Sequence, residues 1–148
     1  MAQIDIHNWI GRIGEEKAAQ IMKQKGYSIR DVNWKMGHLE MDIIAENKKE
    51  IVFVEVKTRT TTFGGKLPEE NVDLVKQKRL IAAANAYIKM FQINKSPRFD
   101  IIGIVANSEG EFTYINHLEN AFVPHVRTIH SHSFTKQWSW KHRGHVIK

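Results

Sequence analysis

The chain has 148 residues, a formal net charge of +6 at pH 7, 42% hydrophobic residues and no cysteine. This length and composition predict one soluble globular domain with a real hydrophobic core. The absence of cysteine excludes disulfides, thiolate zinc sites and cysteine nucleophiles, so any metal ion must be held by oxygen or imidazole ligands.

The sequence also predicts a protein without a membrane partner. No stretch reaches the roughly 18 apolar residues that a membrane span requires. The first residues, MAQIDIHNWIG, have neither the basic nor the apolar region of a secretory signal. We therefore expect a cytoplasmic protein.

The first predicted element is a helix over residues 5–25, because apolar residues recur there at nearly helical spacing and Gly26 follows as a cap. This helix carries two consecutive acids. Glu15 lies on the same face as Ala18 and can point toward a sheet, whereas Glu16 faces solvent. On this segment alone, two surface glutamates are the simpler interpretation.

Three predicted strands follow, of which the last two form a hairpin. Residues 27–35 predict the first strand. The hairpin strands, LEMDIIAE and IVFVEV, are joined by a polar turn at residues 47–50. Both strands are apolar runs interrupted by acidic residues, so charges occupy positions where core residues are expected.

The register of the hairpin brings these charges together. A turn centred on residues 48–49 would place Asp42 opposite Glu55 and Glu40 opposite Lys57. Opposed residues of an antiparallel pair project from the same face, so the four side chains would form one cluster. A divalent cation such as magnesium would convert the repulsion between Asp42 and Glu55 into coordination. The alternative is a set of solvated charges on an open sheet face, with a turn of odd length changing the register.

The rest of the domain completes a mixed sheet. Residues 58–66 predict a loop beside the acidic cluster, and residues 68–91 a second helix that opens with proline and two acids. In this helix Lys76 is a candidate for phosphate contact, although a solvated face is the simpler interpretation. Residues 98–105 predict a central strand and residues 111–116 another. The order helix, three strands, helix, two strands predicts an α/β (α+β) fold with a mixed sheet.

A basic tail is predicted at residues 124–148, after a folded domain at residues 1–123. The tail supplies five of the six net charges and contains no acidic residue. Its aromatic and basic residues alternate in a way that can stack on bases and neutralise phosphates. The candidate nucleic-acid-binding residues are Lys136, Trp138, Trp140, Lys141 and Arg143. A histidine-rich metal tract and a plain solvated tail are the alternatives, since five of the eight histidines lie here.

Several short motifs resemble those of the YraN-like family, a largely uncharacterised group regarded as endonucleases. The resemblance covers about residues 11–105. In chain order the motifs are Gly14-Glu15 with Ala18, Gly26-Tyr27, Asn33-Trp34, Glu40 to Ala45, Val52 to Arg59, Phe63-Gly64, Lys76 and Arg98-Phe99-Asp100. One departure is Leu39, because the family usually has glycine at this position.

The resemblance implies a restriction-endonuclease-like core of the PD-(D/E)xK superfamily, similar to archaeal Holliday-junction resolvases. It further implies a nuclease site that requires Mg²⁺ or Mn²⁺. In that site Asp42, Glu55 and the Val56 carbonyl would be metal ligands, Lys57 the catalytic lysine and Glu15 a helix-borne acid. Asp42, Glu55 and Lys57 also belong to the cluster obtained from the hairpin register, whereas Glu15 and the Val56 carbonyl are implied by the resemblance alone.

The expected function is therefore metal-dependent hydrolysis of phosphodiester bonds in DNA, with branched or structured DNA as a candidate substrate. Glu40, Arg59 and Lys76 are expected to support the site. The alternatives are a non-catalytic nucleic-acid-binding protein that keeps the fold, and a protein-interaction module whose tail recruits a partner. A homodimer is a candidate assembly, since junction resolvases act as symmetric dimers.

Overall fold

The computed structural model of the chain describes residues 5–61 and 65–124. Its elements, in chain order, are α1 (Ile6–Gln24), β1 (Ser28–Met36), β2 (Leu39–Glu46), β3 (Glu50–Arg59), a 3₁₀ helix (Pro68–Asn71), α2 (Leu74–Phe91), β4 (Ser96–Ala106) and β5 (Phe112–Phe122). The predicted order of helices and strands is confirmed, and so is the mixed α/β class.

The five strands form one sheet in the order β1-β2-β3-β4-β5. Strand β3 pairs in parallel with β4, whereas the other three neighbouring pairs are antiparallel. A parallel pair needs a crossover connection, and α2 lies in the connection between β3 and β4. Strand β4 has neighbours on both sides, which confirms the predicted interior position of its apolar run.

Each face of the sheet is covered by one helix. The core between the sheet and α2 includes Ile44, Phe53, Leu80, Tyr87, Phe99 and Ile101. The core between the sheet and α1 includes Ala18, Met22, Ile43, Val54, Val56 and Ile102. Alternate residues of β2, β3 and β4 therefore point to opposite cores, as strand geometry requires.

The predicted register of the hairpin is confirmed close to its turn. The paired residues run from Glu46 opposite Ile51 to Ile43 opposite Val54. The side chain of Asn47 closes the turn, because its oxygen accepts the backbone N–H groups of residues 49 and 50 at 2.9 and 2.7 Å. The same register continued by one more residue brings Asp42 to the level of Glu55.

Three predicted boundaries were wrong. The last strand was predicted to end at residue 116, but β5 continues to Phe122. The second helix does not run without a break from residue 68, because the 3₁₀ helix ends at Asn71 and α2 begins at Leu74. Asp73 separates them, since its side chain accepts the backbone N–H of Lys76 at 2.8 Å as an N-terminal cap. The predicted loop at residues 58–66 also begins too early, because β3 continues to Arg59 in parallel pairing with β4.

The predicted tail lies outside the described residues from position 125 onward. All five nucleic-acid-binding candidates are in that segment, namely Lys136, Trp138, Trp140, Lys141 and Arg143. Their role and the domain boundary therefore stay predictions. In the part of the chain that the structure describes, neither helix is both long and apolar enough to cross a bilayer.

Candidate metal centre

The Asp42 and Glu55 carboxyl groups meet where β2 separates from β3. Asp42 accepts the backbone N–H of Val56 at 2.8 Å, so this donor of β3 binds a side chain of β2. Because Val56 directly follows Glu55, this bond brings the Asp42 carboxyl group beside Glu55, and the negative charge of Asp42 raises the pKa of Glu55. The Glu55 side chain is only 5% exposed. The structure thus brings together the acids that the hairpin register placed opposite each other.

Two lysines approach Glu55 from different elements. Lys57 Nζ, two residues further along β3, lies 3.7 Å from Glu55 Oε1. Lys76 Nζ, in the first turn of α2, lies 3.5 Å from the same oxygen. Because Asp73 caps α2, the position of this first turn is fixed beside β3. Lys76, which the sequence analysis expected to support the site, is therefore a direct ion-pair partner of Glu55.

Both carboxyl groups hold protons more tightly than free acids do. Burial raises the pKa of Glu55 to about 7, and the nearby Asp42 raises it as well, whereas Lys76 and Lys57 lower it. Burial also raises the pKa of Asp42, against the lowering effects of the Val56 N–H and Lys76. The two lysines therefore only partly offset the effect of burial, and the pKa values of both carboxyl groups stay above their ordinary values.

This donor set fits a hard divalent cation. Magnesium prefers oxygen ligands and is often bound by one or two carboxylates, with waters and substrate phosphates in the other positions. Within residues 5–61 and 65–124, no group of three acidic or histidine residues is arranged to hold a metal ion. The Asp42–Glu55 pair could therefore bind magnesium only together with water, main-chain or substrate oxygens. Whether the Val56 carbonyl is one of these ligands stays a prediction.

Helix α1 brings a third acid to the edge of this centre. Glu15 is half-buried, and burial raises its pKa. Asp42 and Glu40 raise the pKa of Glu15 further, which places both acids near it. Gly14 allows this approach, because a Cβ at position 14 would lie only 2.1 Å from Thr58 Oγ1. Glu15 therefore faces the centre, as its position on the helix indicated.

Asn33 is a member of the site that sequence reasoning missed. Its side-chain amide lies near Glu15 and lowers the pKa of that acid. Neighbouring pairs of β1 and β2, Val32 with Ile43 and Trp34 with Met41, place Asn33 beside Asp42. Asn33 has a φ of 49°, a conformation that asparagine adopts more readily than most residues. In the sequence, the signal for this role of Asn33 was the Asn33-Trp34 motif within a predicted strand.

The remaining predicted site residues lie around this core. Glu40 is exposed and close enough to raise the pKa of Asp42. In the described part of the chain, no ion pair joins Glu40 to Lys57, although the predicted register placed them opposite each other. Arg59 lies at the end of β3 and lines a small cavity. The structure thus brings Glu15, Asp42, Glu55 and the two lysines together, with Glu40 beside them.

Comparison with known proteins identifies the family. The model of an uncharacterised protein family, UPF0102, matches residues 14–104, which include every element of this centre. The chain belongs to the UPF0102 family. A UPF0102 protein of Bacteroides thetaiotaomicron is 48% identical over 118 residues, covering 80% of this chain and 95% of the relative.

Other bacteria carry similar UPF0102 proteins. One from Porphyromonas gingivalis is 44% identical over 116 residues, covering 78% of this chain and 85% of the relative. One from Caldanaerobacter subterraneus is 44% identical over 115 residues, covering 76% of this chain and 93% of the relative. These matches confirm the family that the motifs indicated. The unusual Leu39 of this UPF0102 chain keeps a strand backbone, pairs with Met36 and packs against the core.

Proposed function

We propose that this protein is a metal-dependent endonuclease that hydrolyses phosphodiester bonds in DNA. One observation carries the proposal. The Asp42 carboxyl group is held beside Glu55 by the Val56 N–H at 2.8 Å, and the buried Glu55 forms ion pairs with Lys57 and Lys76. Clusters of acids with shifted pKa values beside basic groups are characteristic of sites that bind metal ions and react with phosphates. We further propose a restriction-endonuclease-like classification for the fold.

The metal ion would be held by side-chain oxygens of Asp42 and Glu55. Magnesium or manganese bound there supplies Lewis-acid polarisation of the phosphate and lowers the pKa of bound water. The Val56 N–H holds Asp42 at 2.8 Å and so fixes the direction of its carboxylate. Ionisation of Glu55 upon metal binding would release its proton, because the pKa of this group is about 7 without metal.

The two lysines would act on the substrate. The Lys57 ammonium lies 3.7 Å from the Glu55 carboxylate and is 24% exposed, so it can reach both the acid and an incoming phosphate. It would orient the attacking water or stabilise the charge that develops on the phosphate oxygens. Lys76 is similarly accessible and would neutralise a phosphate from the side of α2. Glu15, near Asn33, would position water at the edge of the centre.

A substrate panel tests this proposal. Purified protein with Mg²⁺ or Mn²⁺ is incubated with single-stranded DNA, duplex DNA, four-way junctions and RNA. We expect cleavage of at least one DNA substrate and loss of about 100-fold or more of the rate in Asp42→Asn, Glu55→Gln and Lys57→Ala. The exposed neighbour of Glu15 gives a matched control, since Glu16→Gln should cleave as the wild type does.

The outcomes separate the candidate functions. Binding without cleavage of any substrate would support a non-catalytic nucleic-acid-binding protein, and absence of both would support a protein-interaction module. Cleavage of RNA alone would correct the substrate class. Preference for four-way junctions with paired nicks would support a homodimer. A cytoplasmic location is part of the proposal, since chromosomal DNA would be the substrate there.

A further inference from the structure

A small cavity lies beside the candidate metal centre, near the end of β3. It measures about 70 Å³ and is lined by Arg59, Thr61, Lys66 and Asn71. Each of these side chains offers a hydrogen-bond donor, and none is acidic. The space can hold several water molecules, and it is therefore large enough to admit one phosphate group.

The two cations of this cavity have no acidic partner among the described residues. Within residues 5–61 and 65–124, no acidic side chain forms an ion pair with Arg59 or Lys66. Other cations on the same sheet do have such partners, for example Arg30 with Glu46 at 3.1 Å. Two unpaired positive groups around one cavity repel each other, and a bound anion would relieve that repulsion.

The cavity is aligned with the metal centre along β3. Glu55, Lys57 and Arg59 alternate along this strand and so project from the same face. Lys57 and Arg59 are separated by about 6.6 Å of strand, which is similar to the spacing of adjacent phosphates in a nucleic-acid strand. On the opposite side, Asn71 lines the cavity and Lys76 reaches Glu55. Strand β3 and the segment from Asn71 to Lys76 thus border both the cavity and the metal centre.

We infer that this cavity binds the phosphate adjacent to the one that is cleaved. The inference rests on the proposed nuclease function, because the position of the scissile phosphate at Asp42 and Glu55 defines which phosphate is adjacent. Arg59 can contact two phosphate oxygens at once through its planar guanidinium, and Lys66 adds a second charge. The amide of Asn71 and the hydroxyl of Thr61 complete the donors. These groups recognise the backbone, so binding here is independent of base sequence.

Binding experiments test the cavity without relying on cleavage. A fluorescent DNA duplex is titrated with protein in EDTA at several salt concentrations. We expect Arg59→Gln to weaken binding about tenfold and to reduce the salt slope by about 1, because one phosphate contact is lost. Lys66→Gln should act in the same direction, and Arg59→Lys should recover part of the loss. Lys48→Gln, an exposed change in the hairpin turn at the far end of β3, should leave both values unchanged.

A second experiment identifies the phosphate. Methylphosphonate, which is uncharged, replaces one phosphate at a time in the duplex. Wild-type protein should lose about tenfold in affinity when the phosphate next to the cleavage point is replaced, whereas Arg59→Gln should lose nothing further at that position. Unchanged binding by Arg59→Gln, or full sensitivity at that position in the variant, would overturn the inference. Failure of wild-type protein to cleave any DNA would instead overturn the proposed function, and the binding results would still decide whether the cavity holds a phosphate.

Discussion

Two buried carboxylates on neighbouring strands are treated very differently by this fold. Asp100 on β4 has no exposed surface and receives two hydrogen bonds of 2.8 Å from the Arg98 guanidinium. His117 lies 2.7 Å from the same carboxylate, and the Asn120 N–H donates at 3.0 Å. Burial alone would raise the pKa of Asp100, but the hydrogen bonds of these three residues lower it below its ordinary value. Asp100 is a fully satisfied anion.

Glu55 on β3 is almost as deeply buried as Asp100, but its pKa is raised instead of lowered. Its lysine partners are at 3.5 and 3.7 Å, and its nearest acidic neighbour, Asp42, opposes its ionisation. This sheet thus neutralises the buried Asp100 with its own residues. At Glu55 the missing positive charge is the feature that a metal ion would supply.

Removal of each acid in turn should give the largest difference between Asp100 and Glu55 in the free energy of unfolding. Asp100→Asn should lower the free energy of unfolding by about 3–5 kcal/mol, because it leaves the Arg98 charge buried without its partner. Glu55→Gln at pH 8 should lower it by less than about 1 kcal/mol or raise it, since the variant removes an unfavourable buried charge. Urea denaturation of both variants measures these values. Similar losses of unfolding free energy in both variants would show that the fold stabilises the two acids in the same way.

The pH dependence of stability should separate the same two acids. The pKa of Glu55 rises from 4.5 to about 7 on folding, so between these values the folded state binds more protons than the unfolded state. The free energy of unfolding should therefore fall as the pH rises through this window, by up to about 3 kcal/mol. The lowered pKa of Asp100 acts oppositely, and its stabilisation is lost only in acid, as the pH falls below its ordinary value of 3.8.

Urea denaturation of three proteins between about pH 5 and pH 8 checks this assignment. Glu55→Gln should have a flatter profile than the wild type, whereas the exposed control Glu16→Gln should keep the wild-type profile. Added Mg²⁺ should restore stability at pH 8 in the wild type and not in Glu55→Gln. An unchanged profile in Glu55→Gln would assign the titration to a different group.

The part of the fold that depends on nearby residues could be predicted from the sequence. Alternation of apolar residues and a polar turn defined the hairpin, and they placed Asp42 across from Glu55 because strand pairing has a fixed period. The start of α2 could not be located in the same way. Pro68 and Asp73 are both common at helix starts, and only the structure shows that Asp73 caps the α-helix.

The part of the site that depends on contacts between distant residues was harder to predict from the sequence. Lys76 reaches Glu55 because α2 crosses over from β3 to β4, and no local pattern gives the position of a crossover helix. Asn33 lies near Glu15 because β1 bends at a positive φ, which a strand pattern does not reveal. The family resemblance supplied Glu15 but gave no reason for its approach. That reason is the close contact between Gly14 and Thr58.

Substitution of Gly14 should move the third acid, Glu15, away from the Asp42–Glu55 pair. A Cβ at position 14 would lie 2.1 Å from Thr58 Oγ1, so Gly14→Ala must push α1 and Glu15 away from the sheet. We expect a loss of about 1–3 kcal/mol in the free energy of unfolding and weaker Mg²⁺ binding, measured by denaturation and calorimetry.

A matched substitution in the same helix provides the control. A Cβ at Gly11 meets nothing within 4 Å, so Gly11→Ala should stabilise α1 by about 0.5–1 kcal/mol. Thr58→Ala should recover part of the Gly14→Ala loss in the double variant, because it removes the atoms that clash. If Gly14→Ala and Gly11→Ala behave alike, the close approach does not position Glu15.

The smallest effect concerns the lysine that the sequence did not connect with Glu55. Lys76 Nζ is slightly closer to the Glu55 carboxylate than Lys57 Nζ is, and its charge has the larger lowering effect on the pKa of Glu55. Lys76→Gln should therefore raise that pKa by about one unit, and Lys57→Gln by less. Titration of the Glu55 carboxyl carbon by NMR measures both shifts.

The exposed Lys78, two residues further along α2, supplies the control for this titration, and Lys78→Gln should leave the pKa of Glu55 unchanged. A larger shift in Lys57→Gln than in Lys76→Gln would mean that β3 alone determines the charge of the acidic pair. An equal absence of shift in both would mean that burial and Asp42 dominate, and that neither lysine neutralises Glu55 in the way that Arg98 neutralises Asp100. The expected result would instead place a basic residue of α2 within the metal centre and explain why capping by Asp73 matters there.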